Sequence, residues 1–106
     1  MGFLSNLFGG AKVDLKQLAK EGAVILDVRS PAEFSGGHVK EAVNIPLQQI
    51  EKAVSKFKKE QVIITCCASG MRSGSAKSFL KSKGFSQVYN GGAWTSLRSK
   101  IWLLCK

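Results

Sequence analysis

The 106-residue sequence predicts an α/β fold, a three-layer sandwich in which a central, mainly parallel sheet of about five strands is covered by helices. Two nearly unbroken apolar runs, Ala23-Val24-Ile25-Leu26-Asp27-Val28 and Val62-Ile63-Ile64-Thr65-Cys66, lack the polar alternation of a half-solvated strand, so both of their faces are covered. Helical patterns separate these runs from the other strand-like segments, which implies crossover connections between parallel strands. An apolar fraction of 44% with 22% charged residues is ordinary for a globular chain and, at this length, enough for one core. Residues 1–106 are therefore read as one domain, with residues 1–10 as a short apolar extension.

Each element has its own signal. Ala11–Val13 is a brief edge strand. Asp14 and Gln17 make a capping-box-like start, Leu15, Leu18 and Ala19 share a face, and Gly22 stops a helix over 15–21. After the first apolar run, Ser30-Pro31-Ala32-Glu33 supplies a cap, Pro at the first helical position and a capping Glu, and Gly36-Gly37 ends that helix quickly. Ala42-Val43-Asn44-Ile45 before Pro46 is a short strand. Leu47, Ile50, Val54 and Phe57 recur at helical spacing over 47–58, with lysines at the end where cations suit the helix dipole. Ser73, as a cap, opens a helix over 73–83 that Gly84 stops. Val88-Tyr89 is the last strand, Asn90-Gly91-Gly92 a turn, and 93–102 a closing helix with Trp94, Leu97 and Ile101 on one face.

Charge is unevenly placed. Of sixteen basic and seven acidic residues, every acid precedes position 61, so the half with the second apolar run is uniformly positive. That suits an anionic small substrate, nucleic acid or an acidic partner, or simply a solvated lysine face. The basic residues are not interleaved with aromatics as in a nucleic-acid module, so no nucleic acid is expected. Phe3, Leu4, Leu7 and Phe8 form too short a patch, with no basic residue before it, for a secretory signal or a membrane span; a turn docked on the domain is the expectation.

The chemistry concentrates at Thr65-Cys66-Cys67-Ala68-Ser69-Gly70-Met71-Arg72-Ser73. Here a thiol stands where a strand ends and a helix begins, and the free N–H groups of the loop and first helical turn converge on one spot and favour negative charge there. A cysteine over such a cradle is a candidate nucleophile of lowered pKa. Cys66, Cys67 and Cys105 do not form a disulfide framework, since adjacent cysteines close only a strained ring; a reducing compartment, the cytoplasm, fits better. With His38 the sole histidine and no cysteine pair at ligand spacing, no metal and no cofactor are expected.

These residues resemble the rhodanese family, in particular its single-domain members. The likeness rests on Leu26-Asp27-Val28-Arg29 with Ser30-Pro31-Ala32-Glu33-Phe34, on Gly37-His38-Val39 leading to Ala42-Val43-Asn44-Ile45-Pro46, on Cys67-Ala68-Ser69-Gly70-Met71-Arg72-Ser73, and on Gly91-Gly92 with Trp94. Lys40-Glu41 stands where the family usually has Pro-Gly. The resemblance implies a rhodanese-like fold and a thiosulfate sulfurtransferase working through a persulfide on Cys67, with thiosulfate or a similar anion as donor and cyanide, a thiol or a protein as acceptor. It also selects Cys67 over Cys66, because the family's nucleophile opens a six-residue loop and Cys67 to Arg72 has that length. Cys66 then faces away, as strand neighbours do.

Ala68, Ser69, Gly70, Met71, Arg72 and Ser73 are on this reading the active-site loop, with Ser73 a cap rather than a reactant. Arg72 either grips the donor's sulfonate through its planar fork or braces the loop in a salt bridge. Asp27 and Arg29 are supporting residues that orient the loop or each other, and a structural ion pair, for instance with Glu33 across the capped turn, is the expectation for Arg29. His38 is structural, and Cys105 a free surface thiol. Two other classes remain open: a non-enzymatic persulfide carrier or interaction module, and a Cdc25-like phosphatase or arsenate reductase. The second needs a loop one residue longer, since a tetrahedral phosphate requires a wider ring of N–H groups than a sulfur atom.

Overall fold

The computed structural model describes residues 13–101. Four strands, β1 (Val24–Asp27), β2 (Val43–Asn44), β3 (Ile63–Cys67) and β4 (Val88–Ala93), form one all-parallel sheet in the order β2-β1-β3-β4. The helices are α1 (Leu15–Lys20), α2 (Pro31–Ser35), α3 (Glu51–Lys56), α4 (Met71–Ser82) and α5 (Trp94–Ile101). The strand expected at Ala11–Val13 falls mostly outside the described residues, and Val13 itself is not in a strand; the described sheet thus has four strands, not five.

Alternation along the buried strands builds two cores. Leu26, Ile63, Cys67 and Val88 face one side, where Ile50, Ala53, Ala76 and Leu80 of the 47–56 segment and α4 cover them. Ile25, Ile64 and Cys66 face the other, under Leu97 and Ile101 of α5 and Leu15 and Leu18 of α1. Ile63 and Ile64 are both fully buried, which is why β3 reads as a continuous apolar run rather than an alternating one. Each complete burial of a residue of this size contributes about 1.5–3 kcal/mol, and the two faces of β3 carry it twice over.

Local capping signals account for the starts of α1 and α2. Asp14 accepts from the Gln17 N–H at 3.0 Å to cap α1. Ser30 and Glu33 form the full capping box on α2, with Pro31 in the first turn. Two expectations are corrected. The 47–58 segment is not one α-helix: after Pro46 it opens as a 3₁₀ turn, Leu47–Gln49, and continues as α3, the tighter winding common at a helix start. Asn90-Gly91-Gly92 is not a free turn but part of β4, where the register with β3 shifts between Thr65 and Cys67. Gly91 has no alternative there, because a Cβ would stand 2.8 Å from the Thr65 carbonyl oxygen. Glu41, in the place of the family's usual glycine, holds the left-handed φ of 67°, a conformation that costs a non-glycine residue about 1 kcal/mol or more.

Candidate active site

Cys67 is the last residue of β3, the interior strand between β1 and β4, so its loop lies beyond the carboxyl ends of the strands, where ligands bind open parallel sheets. The chain reverses at Gly70, whose φ of 107° favours glycine and where a Cβ would stand a tight 3.3 Å from Gly92 Cα. Gly70 caps α4, which begins at Met71. Ser73 is therefore not the cap, as its residue type suggested, but lies inside the first turn, fully buried. The loop closes earlier than expected because Gly70 turns left-handed without needing a side-chain cap.

This geometry folds the loop around one sulfur. The Gly70 N–H donates to Cys67 Sγ at 3.0 Å and the Ser73 N–H at 3.4 Å, while Ser73 Oγ stands 3.5 Å away. Burial pushes the Cys67 thiol up, but the Ser73 hydroxyl and the N–H groups of Ser73, Gly70 and Ser69 outweigh burial and leave it below the ordinary thiol value. Cys66, pointing into the opposite core, has no such donors: burial and the negative charge of Asp27 push it up to about 12. Ala68 and Ser69 are exposed on the outer loop, and Met71 is 81% exposed at its rim.

Arg72 takes the bracing alternative. Its guanidinium meets Glu33 of α2 through two bonds, 2.9 and 3.0 Å long. These bonds, first, and those from Ser30 hold the Glu33 carboxyl at about 2. The Arg29 side chain is accordingly not paired with that carboxylate. It clamps Asp27, with Nη2 to Oδ2 at 2.7 Å and Nε to Oδ1 at 2.9 Å, and donates to the carbonyls of Gly37 and Glu33. Arg29 also lies 4.6 Å over the Trp94 ring. The buried Asp27–Arg29 pair is satisfied on every side, and Asn44 ties the same corner by donating to the Asp27 and Arg29 carbonyls. His38 stacks on Phe34 at 3.7 Å and its Nδ1 is 2.7 Å from the Phe34 carbonyl oxygen, consistent with a structural role.

Two contributions are not evident from the sequence. Glu33 signals a helix cap and an ion pair with Arg29, but its carboxylate caps α2 and anchors Arg72 instead. Asn90 stands in a predicted turn, yet its Nδ2 donates to the Gly70 carbonyl at 3.1 Å and its Oδ1 accepts from Ser73 Oγ at 2.6 Å. Only the strand register, which sets Asn90 opposite Thr65 beside the loop, reveals that contact. Cys105 and the 1–10 extension lie outside the described residues. Among the described residues no group of three His, Cys, Asp or Glu side chains is placed to hold a metal ion, and no helix is long and apolar enough to cross a membrane.

The family model of the rhodanese-like domain matches residues 11–95. The chain belongs to this family. Among its relatives, a protein named sulfurtransferase from Allochromatium vinosum is 33% identical over 78 residues, covering 70% of this chain and 73% of that one. Thiosulfate sulfurtransferase PspE of Escherichia coli is 33% identical over 69 residues, 63% of this chain and 66% of its own length. YqhL of Bacillus subtilis is 37% identical over 68 residues, and there the match spans only 54% of the relative's length. Among solved structures, a rhodanese with anions from E. coli superposes with a TM-score of 0.67 at 31% identity, over 71% of this chain and 91% of that one. The human single-domain sulfurtransferase TSTD1 gives 0.68 at 28% identity, over 84% and 88%.

Proposed function

We propose that the chain is a sulfurtransferase that carries sulfane sulfur on Cys67, taken from thiosulfate or a similar anionic donor and passed to cyanide or a thiol. The observation that carries this reading is the convergence of the Gly70 and Ser73 N–H groups on one sulfur. The names of the A. vinosum and E. coli relatives support the same reaction class.

In the first step the Cys67 thiolate attacks the outer sulfur of the donor; a new S–S bond forms, the donor's own S–S bond breaks, and sulfite leaves with the electron pair. In the second, the lone pair of the acceptor attacks the terminal sulfur of the persulfide, the S–S bond breaks, and the pair returns to Cys67 as thiolate. No general base is needed, because the sulfur is anionic before and after each step, and fixed N–H dipoles stabilise both anions without reorganising. Cys67 exposes none of its surface, so the donor is admitted by displacement of the exposed outer loop, Ala68 and Ser69. Arg72, engaged by Glu33, holds the loop in shape, and the acid-free positive half of the chain draws the anionic donor in. A lasting thiolate requires a reducing compartment, which on this reading is the cytoplasm.

Release of thiocyanate from thiosulfate and cyanide tests the reading. The native protein and Cys66→Ala turn over, whereas Cys67→Ala loses activity by about a thousandfold or more. Undiminished turnover by Cys67→Ala would overturn it.

A further inference from the structure

The buried Ser73 hydroxyl has one hydrogen and two neighbours that compete for it. Asn90 Oδ1 lies 2.6 Å from Ser73 Oγ, and Cys67 Sγ lies 3.5 Å from the same oxygen. A hydroxyl donates once, so the two contacts have a direction: while Cys67 carries its proton, the S–H donates to Ser73 Oγ and the Ser73 O–H donates to Asn90. Once the sulfur is an anion it has no hydrogen to give, and the Ser73 O–H gains most by turning toward it, since a bond to a charged acceptor is about twice as strong as a neutral one. Asn90 Oδ1 keeps one bond in that exchange, from the Gly92 N–H at 2.9 Å.

We propose that Asn90 is a positioning residue for this site, holding the Ser73 hydroxyl hydrogen while Cys67 is a thiol and yielding it to the sulfur when the sulfur is an anion. Asn90 then acts on the sulfur through Ser73, without touching it, and sets how readily the thiol ionises. The proposal deepens the reading of Cys67 as the reactive thiol and rests on it. A neutral amide is well matched to this role, since its oxygen is a weak enough rival to let the hydrogen go, and its NH₂ group steadies the loop through the Gly70 carbonyl. The other charged or titratable groups facing this corner are Cys66 of β3, Arg72 of α4 with its partner Glu33 of α2, and the Asp27–Arg29 pair of β1. None of them donates to the Ser73 oxygen.

Replacing the amide by a carboxylate gives the test. Asn90→Asp presents a charged rival for the Ser73 hydrogen, so the pH midpoint for alkylation of Cys67, followed by peptide mass, rises by about one unit, the size of one charge-assisted hydrogen bond. Concentrated salt weakens the part of the new carboxylate's field that acts through solvent. Ser73→Ala also raises the midpoint, and in that background Asn90→Asp adds little more. Asn90→Ala removes the rival and lowers the midpoint, while the Gly70 carbonyl keeps its bond from the Gly74 N–H at 3.0 Å. Thermal unfolding confirms that each variant is folded, and should Asn90→Asp not fold, Asn90→Ala decides alone. An unmoved midpoint in both Asn90 variants, or an Asn90→Asp shift of equal size with and without the Ser73 hydroxyl, overturns the proposal. Alkylation reads the acidity of Cys67 whether or not that sulfur is transferred, so failure here is distinct from failure of the sulfurtransferase reading.

Discussion

Cys66 and Cys67 are neighbours in the chain and opposites in environment. Strand alternation sends one thiol into each core, and only the Cys67 side meets the N–H groups of a turning loop. The consequence for Cys66 is a stability effect at alkaline pH. Folded, it keeps its proton up to about 12, against a starting value of 9.0; unfolded, it gives the proton up near that starting value. Between the two the folded state binds one proton more, so its contribution is intact below pH 9 and declines as pH rises, by about 1.4 kcal/mol per pH unit. Denaturant unfolding across that range checks this: Cys66→Ala flattens the alkaline slope, and an unchanged slope contradicts the burial argument. The two-fold alternation of a strand was legible in the residues themselves, and so was the separation of the two thiols. The N–H cradle was legible only as a tendency of such junctions, because its donors depend on where Gly70 turns.

At the scale of elements, the corner after β1 holds the loop in place. The capping box of α2 was readable as Ser30-Pro31-Ala32-Glu33, since cap chemistry acts within four residues. The partner of Arg29 was readable only as a choice between Asp27 and Glu33. Local spacing offered Glu33, but Asp27 lies two residues away on the buried end of β1 and takes the guanidinium in a forked arrangement, leaving the Glu33 carboxylate for Arg72. Arg29 is only 3% exposed and Asp27 fully buried. Asp27→Ala therefore leaves a buried cation without its counter-charge and lowers unfolding free energy by about 3–5 kcal/mol, as measured in denaturant. A loss below about 1 kcal/mol would mean that Gly37, Glu33 and Trp94 suffice to hold Arg29. The start of α4 departs from the expected one for a related reason: Ser73 has a good cap's side chain, but a glycine free to adopt a φ of 107° ends the loop first.

Across the whole molecule, the parallel sheet and its two helical layers followed from apolar runs and crossover spacing, because those patterns record burial averaged over an element. The contacts that finish the site join residues far apart in the chain. Arg72 reaches Glu33 across 39 positions and Ser73 reaches Asn90 across 17, and no local periodicity encodes such pairs. They converge because β1, β3 and β4 end together and direct their following segments to one edge of the sheet. Together they build this edge around a single sulfur atom. The most direct test is to load the protein with thiosulfate without an acceptor, then fragment the peptide holding both adjacent cysteines in a mass spectrometer. One added sulfur is expected, on Cys67, removed by cyanide. Sulfur found on Cys66 or Cys105 instead, or on no cysteine with any sulfane donor, would contradict it.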